Sequence, residues 1–251
     1  MFSPTLEEFQ QLAAQGNLVP ITRRLLSDFE TPLSAYRKIR GQGESFLFES
    51  VEGGEHLGRY SFVGCNPRAV IRQHGARVDV LENGKLTDHF AISRQPLAGG
   101  DPRVPDGLVV VEQMLQKFRP VSVTGLPRFT GGAVGFIGYE FIHDVEPVVP
   151  RPPRDELQTP TMVFLIADEL LIFDHVAQTI TVLVNAVVDE AASPAEAYEN
   201  ATGEIERLVS LLEQPLEHFP VTVPHNVPSV PFESNVTQEK FFANVRKAKE
   251  Y

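Results

Sequence analysis

Twenty of the 251 residues are proline, and ten of those crowd into two short segments, residues 147–160 and 215–231. Proline has no backbone N–H, and its ring clashes with the preceding helical turn, so neither segment fits inside a helix or a central strand. Regular structure is thereby confined to three stretches: before residue 147, between 160 and 215, and after 231. The second cluster reads as a linker, residues 214–236. It separates a main body, residues 1–213, from a C-terminal helix, residues 237–251.

Within those stretches the local signals alternate between helix and strand. Thr5 and Glu8 have capping-box spacing ahead of Phe9, Leu12 and Ala13. Thr31-Pro32 supplies an N-cap and a first-turn proline for a helix through Ile39, and Ser193, Pro194 and Glu196 open another that carries Ile205, Leu208, Leu211 and Leu212. GLVVVEQMLQKF also has helical spacing. Its three valines would suit a strand, but the polar residues after them favour the helix. Strands are expected at NLVPITRRLL, Ser45 to Ser50, Arg59 to Val63, Ala69 to Arg72, Arg77 to Leu81 and Lys85 to Ile92, with a type I′ turn at Asn83-Gly84. Further strands are expected at Gly131 to Tyr139, at Thr161 to Phe173 with a break at Asp168, and at Thr179 to Val187. Thr237 starts a basic helix striped by Phe241, Val245 and Ala248, with no glycine cap after it. This ending reads either as a cut through a longer protein or as a helix that folds back onto the core.

Charge and cysteine usage exclude several classes. The chain has 33 acids against 22 bases, a net charge of -11, so a phosphate backbone would be repelled and nucleic acid is not an expected partner. Cys65 is the single cysteine, which rules out an intrachain disulfide and suits a reducing compartment. The N-terminus has acids where a signal peptide needs a basic and then an apolar stretch. The longest apolar stretch, Met162 to Phe173, contains Asp168 and Glu169 and falls far short of the roughly 20 residues that span a bilayer. A cytoplasmic protein without membrane contact is expected.

Familiar catalytic patterns do not occur. None of the seven histidines pairs at i and i+4, and no HExxH or Cys/His arrangement is present, so no metal site is expected within the chain. There is no G-x-S-x-G elbow and no P-loop. The glycines at 132, 135 and 138 do not match G-x-G-x-x-G. They read instead as a packed, two-sided strand approached closely by another backbone. No catalytic residue is assigned.

The stretch ESVEGGEHLGRYSF, residues 49–62, offers a different chemistry. A zwitterion such as a free amino acid needs acceptors for its ammonium and donors for its carboxylate. Glu49 can supply the first, and Ser50 or Arg59 the second. Neighbouring strand residues point to opposite faces, so Glu49 and Ser50 can serve one ligand only if the strand ends or bulges there, or if one acts through its backbone. The alternative is a solvated connection between strands with an ordinary surface Glu and Arg.

Three blocks, VPITRRLLSDFETPLSAYRKI, SFLFESVEGGEHLGRYSFVGCNP and LPRFTGGAVGFIGYEF, resemble the N-terminal half of component I of anthranilate synthase. The ending TQEKFFANVRKAKEY resembles the start of that family's chorismate-binding half, which favours truncation over a folded-back helix. The resemblance implies an α+β fold of antiparallel sheets flanked by helices, the N-terminal half of the chorismate-utilising fold. It implies conversion of chorismate and ammonia to anthranilate and pyruvate, with Mg²⁺, and with ammonia supplied by a glutamine amidotransferase partner. Catalytic and Mg²⁺-binding residues would lie in the missing half, so this chain is expected to be inactive alone. It also implies a feedback site for tryptophan in which Leu47-Phe48-Glu49-Ser50 takes the place of a Leu-Leu-Glu-Ser motif, with Arg59 in a basic position. A fragment of such a fold would expose apolar surface and self-associate. Component I of aminodeoxychorismate synthase in the folate pathway and a stand-alone amino-acid-binding regulatory module remain as alternatives.

Overall fold

The computed structural model describes residues 1–41, 43–49, 58–93, 97, 99–146, 148–150, 157–189, 193–216, 222 and 229–250. They fall into two compact units, Met1–Leu216 and Glu217–Tyr251. The first holds two sheets. One has six strands in the order β1 (Phe2–Ser3), β2 (Leu18–Leu26), β11 (Thr179–Val187), β10 (Glu169–Asp174), β4 (Tyr60–Cys65) and β3 (Phe46–Phe48). The other has five, in the order β7 (Lys85–Ala91), β6 (Arg77–Glu82), β5 (Ala69–His74), β9 (Met162–Ala167) and β8 (Gly132–Ile137). Every ladder between these strands is antiparallel.

Helices cover the sheets where the apolar stripes predict. On the six-stranded sheet lie α1 (Leu6–Ala13), α2 (Pro32–Ile39) and α5 (Pro194–Leu212); the capping boxes expected at Thr5 and Ser193 open α1 and α5, and the N-cap expected at Thr31 is itself a capping box, completed by Ser34. Phe9, Ala35, Ile205 and Leu208 pack there against Ile21, Val63, Leu171, Phe173 and Val182. On the five-stranded sheet lies α3 (Gly107–Gln116), whose Val110, Val111 and Met114 meet Ile71, Val78, Val80 and Ile166. A third cluster joins Val134 and Ala167 to Leu170, Ile172 and Leu183, with Phe46, Phe62 and Phe129 around it. The fold is therefore α+β, with antiparallel sheets flanked by helices.

The chain crosses between sheets twice: from β4 to β5 through Asn66-Pro67-Arg68, and from β9 to β10 at Asp168. The break expected at Asp168 is thus a change of sheet. The two crossings are tied together: the Arg68 N–H donates to Ile166 O at 2.9 Å, and the Arg68 guanidinium pairs with Asp168.

The reading of residues 131–139 as a two-sided strand needs correction. Among the described residues β8 is the edge strand of its sheet, with β9 as its only neighbour, and Phe136 and Ile137 stay 49% and 47% exposed. The close backbone approach does hold, because a Cβ on Gly135 would collide with the Val163 carbonyl. Three short elements escape the sequence reading: β1, a 3-10 turn at Tyr139–Phe141, and α4 (Ile142–Val145). None is long enough to show a period. In the second unit, α6 (Gln238–Ala248) forms behind its Thr237 cap, and Phe241, Phe242 and Val245 on it are exposed.

Candidate functional site

Gly64 lets β3 lie close against β4. The ladder pairs Phe46 with Gly64 and Phe48 with Phe62, and the Phe46 ring occupies the space a Cβ on Gly64 would need. β3 then stops at Phe48, so Glu49 is released from strand alternation, as a shared Glu49–Ser50 site requires. Glu49 is exposed. Because the ladder is antiparallel, Glu49 and Arg59 leave the same end of the β3–β4 pair. Ser50 and the Gly53-Gly54 pair lie outside the described residues.

Arg59 is held from the neighbouring strand. Its Nε donates to Asp174 Oδ1 and Oδ2 at 3.1 and 3.2 Å, and its Nη2 donates to Oδ2 at 2.7 Å. The guanidinium also lies 5.0 Å from the centre of the Tyr60 ring, within cation–π range. Asp174 is fixed in turn, since its Oδ1 accepts the backbone N–H groups of Val176 and Ala177 at 3.1 and 3.0 Å. These bonds favour the charged forms of both partners. The Arg59 side-chain hydrogen bond holds the Asp174 carboxyl below its ordinary range, and Asp174 raises Arg59 in the same way.

The next residue grips the same strand. His175 N–H donates to Arg59 O at 2.9 Å, and His175 Nε2 lies 2.8 Å from Oγ of Ser61, itself almost wholly buried. Asp174, His175 and Ser61 escaped the sequence reading. Asp174 meets Arg59 only through the β4–β10 pairing.

A second concavity, about 550 Å³, opens over the crossing points and is lined by Asn66, Arg68, Glu82, Asp168, Glu169 and Glu204 among others. Its lining carboxylates make it the natural place to test for the Mg²⁺ that the resemblance implies. Three of its carboxylates are already committed: Asp168 pairs with Arg68, while Glu169 and Glu204 both accept from Arg207 at 2.5 Å. Burial raises the Asp168 and Glu169 carboxyls, and their arginines oppose that shift. Among the described residues no group of three His, Cys, Asp or Glu could hold a metal. The cleft does not fit Mg²⁺, and no chemical step is assigned to it. Nearby Cys65 is buried, which pushes its thiol up to about 12 and leaves it a filler rather than a nucleophile. Among the described residues no helix is long and apolar enough to cross a membrane.

The sequence profile of the family described as chorismate binding enzyme matches residues 84–251, so the chain belongs to the chorismate-binding enzymes. Within that family it is similar to anthranilate synthase component 1. The protein of that name from Acetivibrio thermocellus is 33% identical over 259 residues, covering 100% of this chain and 48% of the relative. The one from Synechocystis sp. is 36% identical over 260 residues, with the same two coverages. The one from Pseudomonas putida is 35% identical over 252 residues, covering 98% of this chain and 47% of the relative. The chain thus spans about half the length of the curated relatives it matches.

Proposed function

We propose that this chain is the N-terminal, tryptophan-binding portion of an anthranilate synthase component I. The observation that carries the reading is its 33–36% identity, along nearly its whole length, to proteins of that name. Continued by a second half, it would convert chorismate to anthranilate and pyruvate, with Mg²⁺ and with ammonia from a glutamine amidotransferase partner. By itself it would be inactive, and its contribution would be regulatory. Tryptophan held by Glu49, Ser50 and Arg59 would favour a state that binds chorismate poorly elsewhere in the protein. The β3–β4 pair supports this, because Glu49 and Arg59, an acid and a base of the kinds a zwitterion needs, leave it at the same end.

The exposed side chains of Phe48, Phe136, Ile137 and Tyr139 fit a body that packs against further protein. Self-association of the isolated chain, visible in light scattering, follows from the same surface.

The reading is tested by joining this chain to the second half of the Acetivibrio thermocellus relative and supplying chorismate, Mg²⁺ and ammonium. Anthranilate, seen by its fluorescence, is the expected product, with none from the 251-residue chain alone. No anthranilate from the folded, joined protein would count against the reading.

A further inference from the structure

The Arg59–Asp174 pair is held more tightly than an ion pair on a surface needs to be. Exposed ion pairs contribute little to stability, because solvent screens them and ordering two side chains costs entropy. Here the Arg59 side chain is 45% exposed, yet it is restrained by Asp174, by the Tyr60 ring and through its own backbone by His175. The anchor is firmer than the group it anchors. Asp174 is only 15% exposed, takes two backbone N–H bonds within its hairpin, and stands opposite Tyr60 in the β4–β10 ladder.

A guanidinium has two edges that can grip a carboxylate with paired N–H groups, one formed by Nε and Nη2 and the other by Nη1 and Nη2. Asp174 takes the first edge. The second has no partner among the described residues. An arginine whose side edge is locked against a fixed acid cannot swing, so its end edge is presented in one orientation. Arg59 itself leaves β4 at the end of the β3–β4 pair from which Glu49 also leaves β3.

We propose that Asp174 is a positioning residue, which fixes Arg59 so that its Nη1–Nη2 edge receives the carboxylate of the amino-acid ligand. The inference rests on the tryptophan-binding reading above and adds to it a residue that does not touch the ligand. It also predicts a sign that simple charge counting gets wrong. Removing the negative charge of Asp174 makes the neighbourhood more positive, so electrostatics alone would tighten binding of a carboxylate. Loss of orientation loosens it, because the ligand must then order a free side chain.

The test is a titration of the 251-residue chain with L-tryptophan and with L-tryptophanamide, which keeps the indole and the ammonium but lacks the carboxylate. The chain contains no tryptophan, so indole fluorescence anisotropy reports the ligand alone. Wild type is compared with Arg59→Ala, Asp174→Ala and the conservative Asp174→Asn, each checked for folding by circular dichroism. The expected result is that Asp174→Ala weakens L-tryptophan roughly tenfold. Its preference for acid over amide should fall to that of Arg59→Ala, and Asp174→Asn should recover part of both. Asp174→Ala binding L-tryptophan as tightly as wild type or tighter would overturn the inference while leaving the site intact. Equal weakening of acid and amide would reduce Asp174 to a structural role and also overturn it. A wild-type chain that binds neither compound would sink the tryptophan-binding reading, and this inference with it.

Discussion

Replacing Gly64 by alanine should loosen the strand that carries the candidate site. A Cβ at this position would lie within 3.0 Å of three atoms of the Phe46 ring, where ordinary contact begins at 3.4 Å. The ring must retreat, and it is tied to the short β3 strand, whose ladder with β4 spans three residue pairs. Overpacking of this kind costs about 1–3 kcal/mol. Alanine returns roughly 0.4–1 kcal/mol by restricting the unfolded chain. The net loss should be about 1–2 kcal/mol, a drop in Tm of roughly 2–8 °C for a unit of this size. Urea unfolding of Gly64→Ala, Phe46→Ala and the double mutant measures it as a cycle. The expected outcome is that Gly64→Ala costs little or nothing once the ring is gone. An equal cost in both backgrounds would refute the packing argument.

Three other outcomes follow from named contacts. The Asp174 carboxyl sits below its ordinary value of 3.8, first through its bond with the Arg59 side chain. A depressed folded value means that its stabilisation is present above the unfolded value and is lost as pH falls through the folded one. The stability gap between wild type and Asp174→Asn should therefore narrow below pH 3.8, and a gap constant down to about pH 2 would contradict this. Cys65, with its thiol pushed up to about 12, should react with a maleimide only as fast as the protein unfolds, and reaction at the rate of a free thiol would show that it is not buried. Ser193→Ala removes a hydroxyl that accepts the Glu196 N–H at 3.3 Å and donates to the Glu196 carboxylate at 2.7 Å, and should cost about 1 kcal/mol by denaturant melt. No measurable cost would mean that the cap does not hold α5.

Helix starts were the most legible part of the fold, because a cap is a local chemical event. Thr5, Thr31 and Ser193 each sit one residue before the helix they announce. The Asn83-Gly84 turn was equally plain, with both residues at positive φ, 51° and 71°, as a type I′ turn demands. Sheet membership was not legible. Asp168 marks a break between β9 and β10, but nothing in the order of the strands says that the two belong to different sheets, or that β8 is an edge. The candidate site divides along the same line. Glu49 and Arg59 stand out as charges flanking a glycine-rich loop, whereas Asp174 lies 115 residues beyond Arg59 and joins it only through strand pairing. Long-range partners of this kind leave no periodic trace.

The most direct test of the tryptophan-binding reading is a thermal-shift titration of the chain with L-tryptophan, using L-phenylalanine and the Ser50→Ala variant as controls. The account predicts a saturable rise in Tm with L-tryptophan alone, lost in the variant. No rise up to millimolar L-tryptophan, or the same rise with L-phenylalanine, would contradict it.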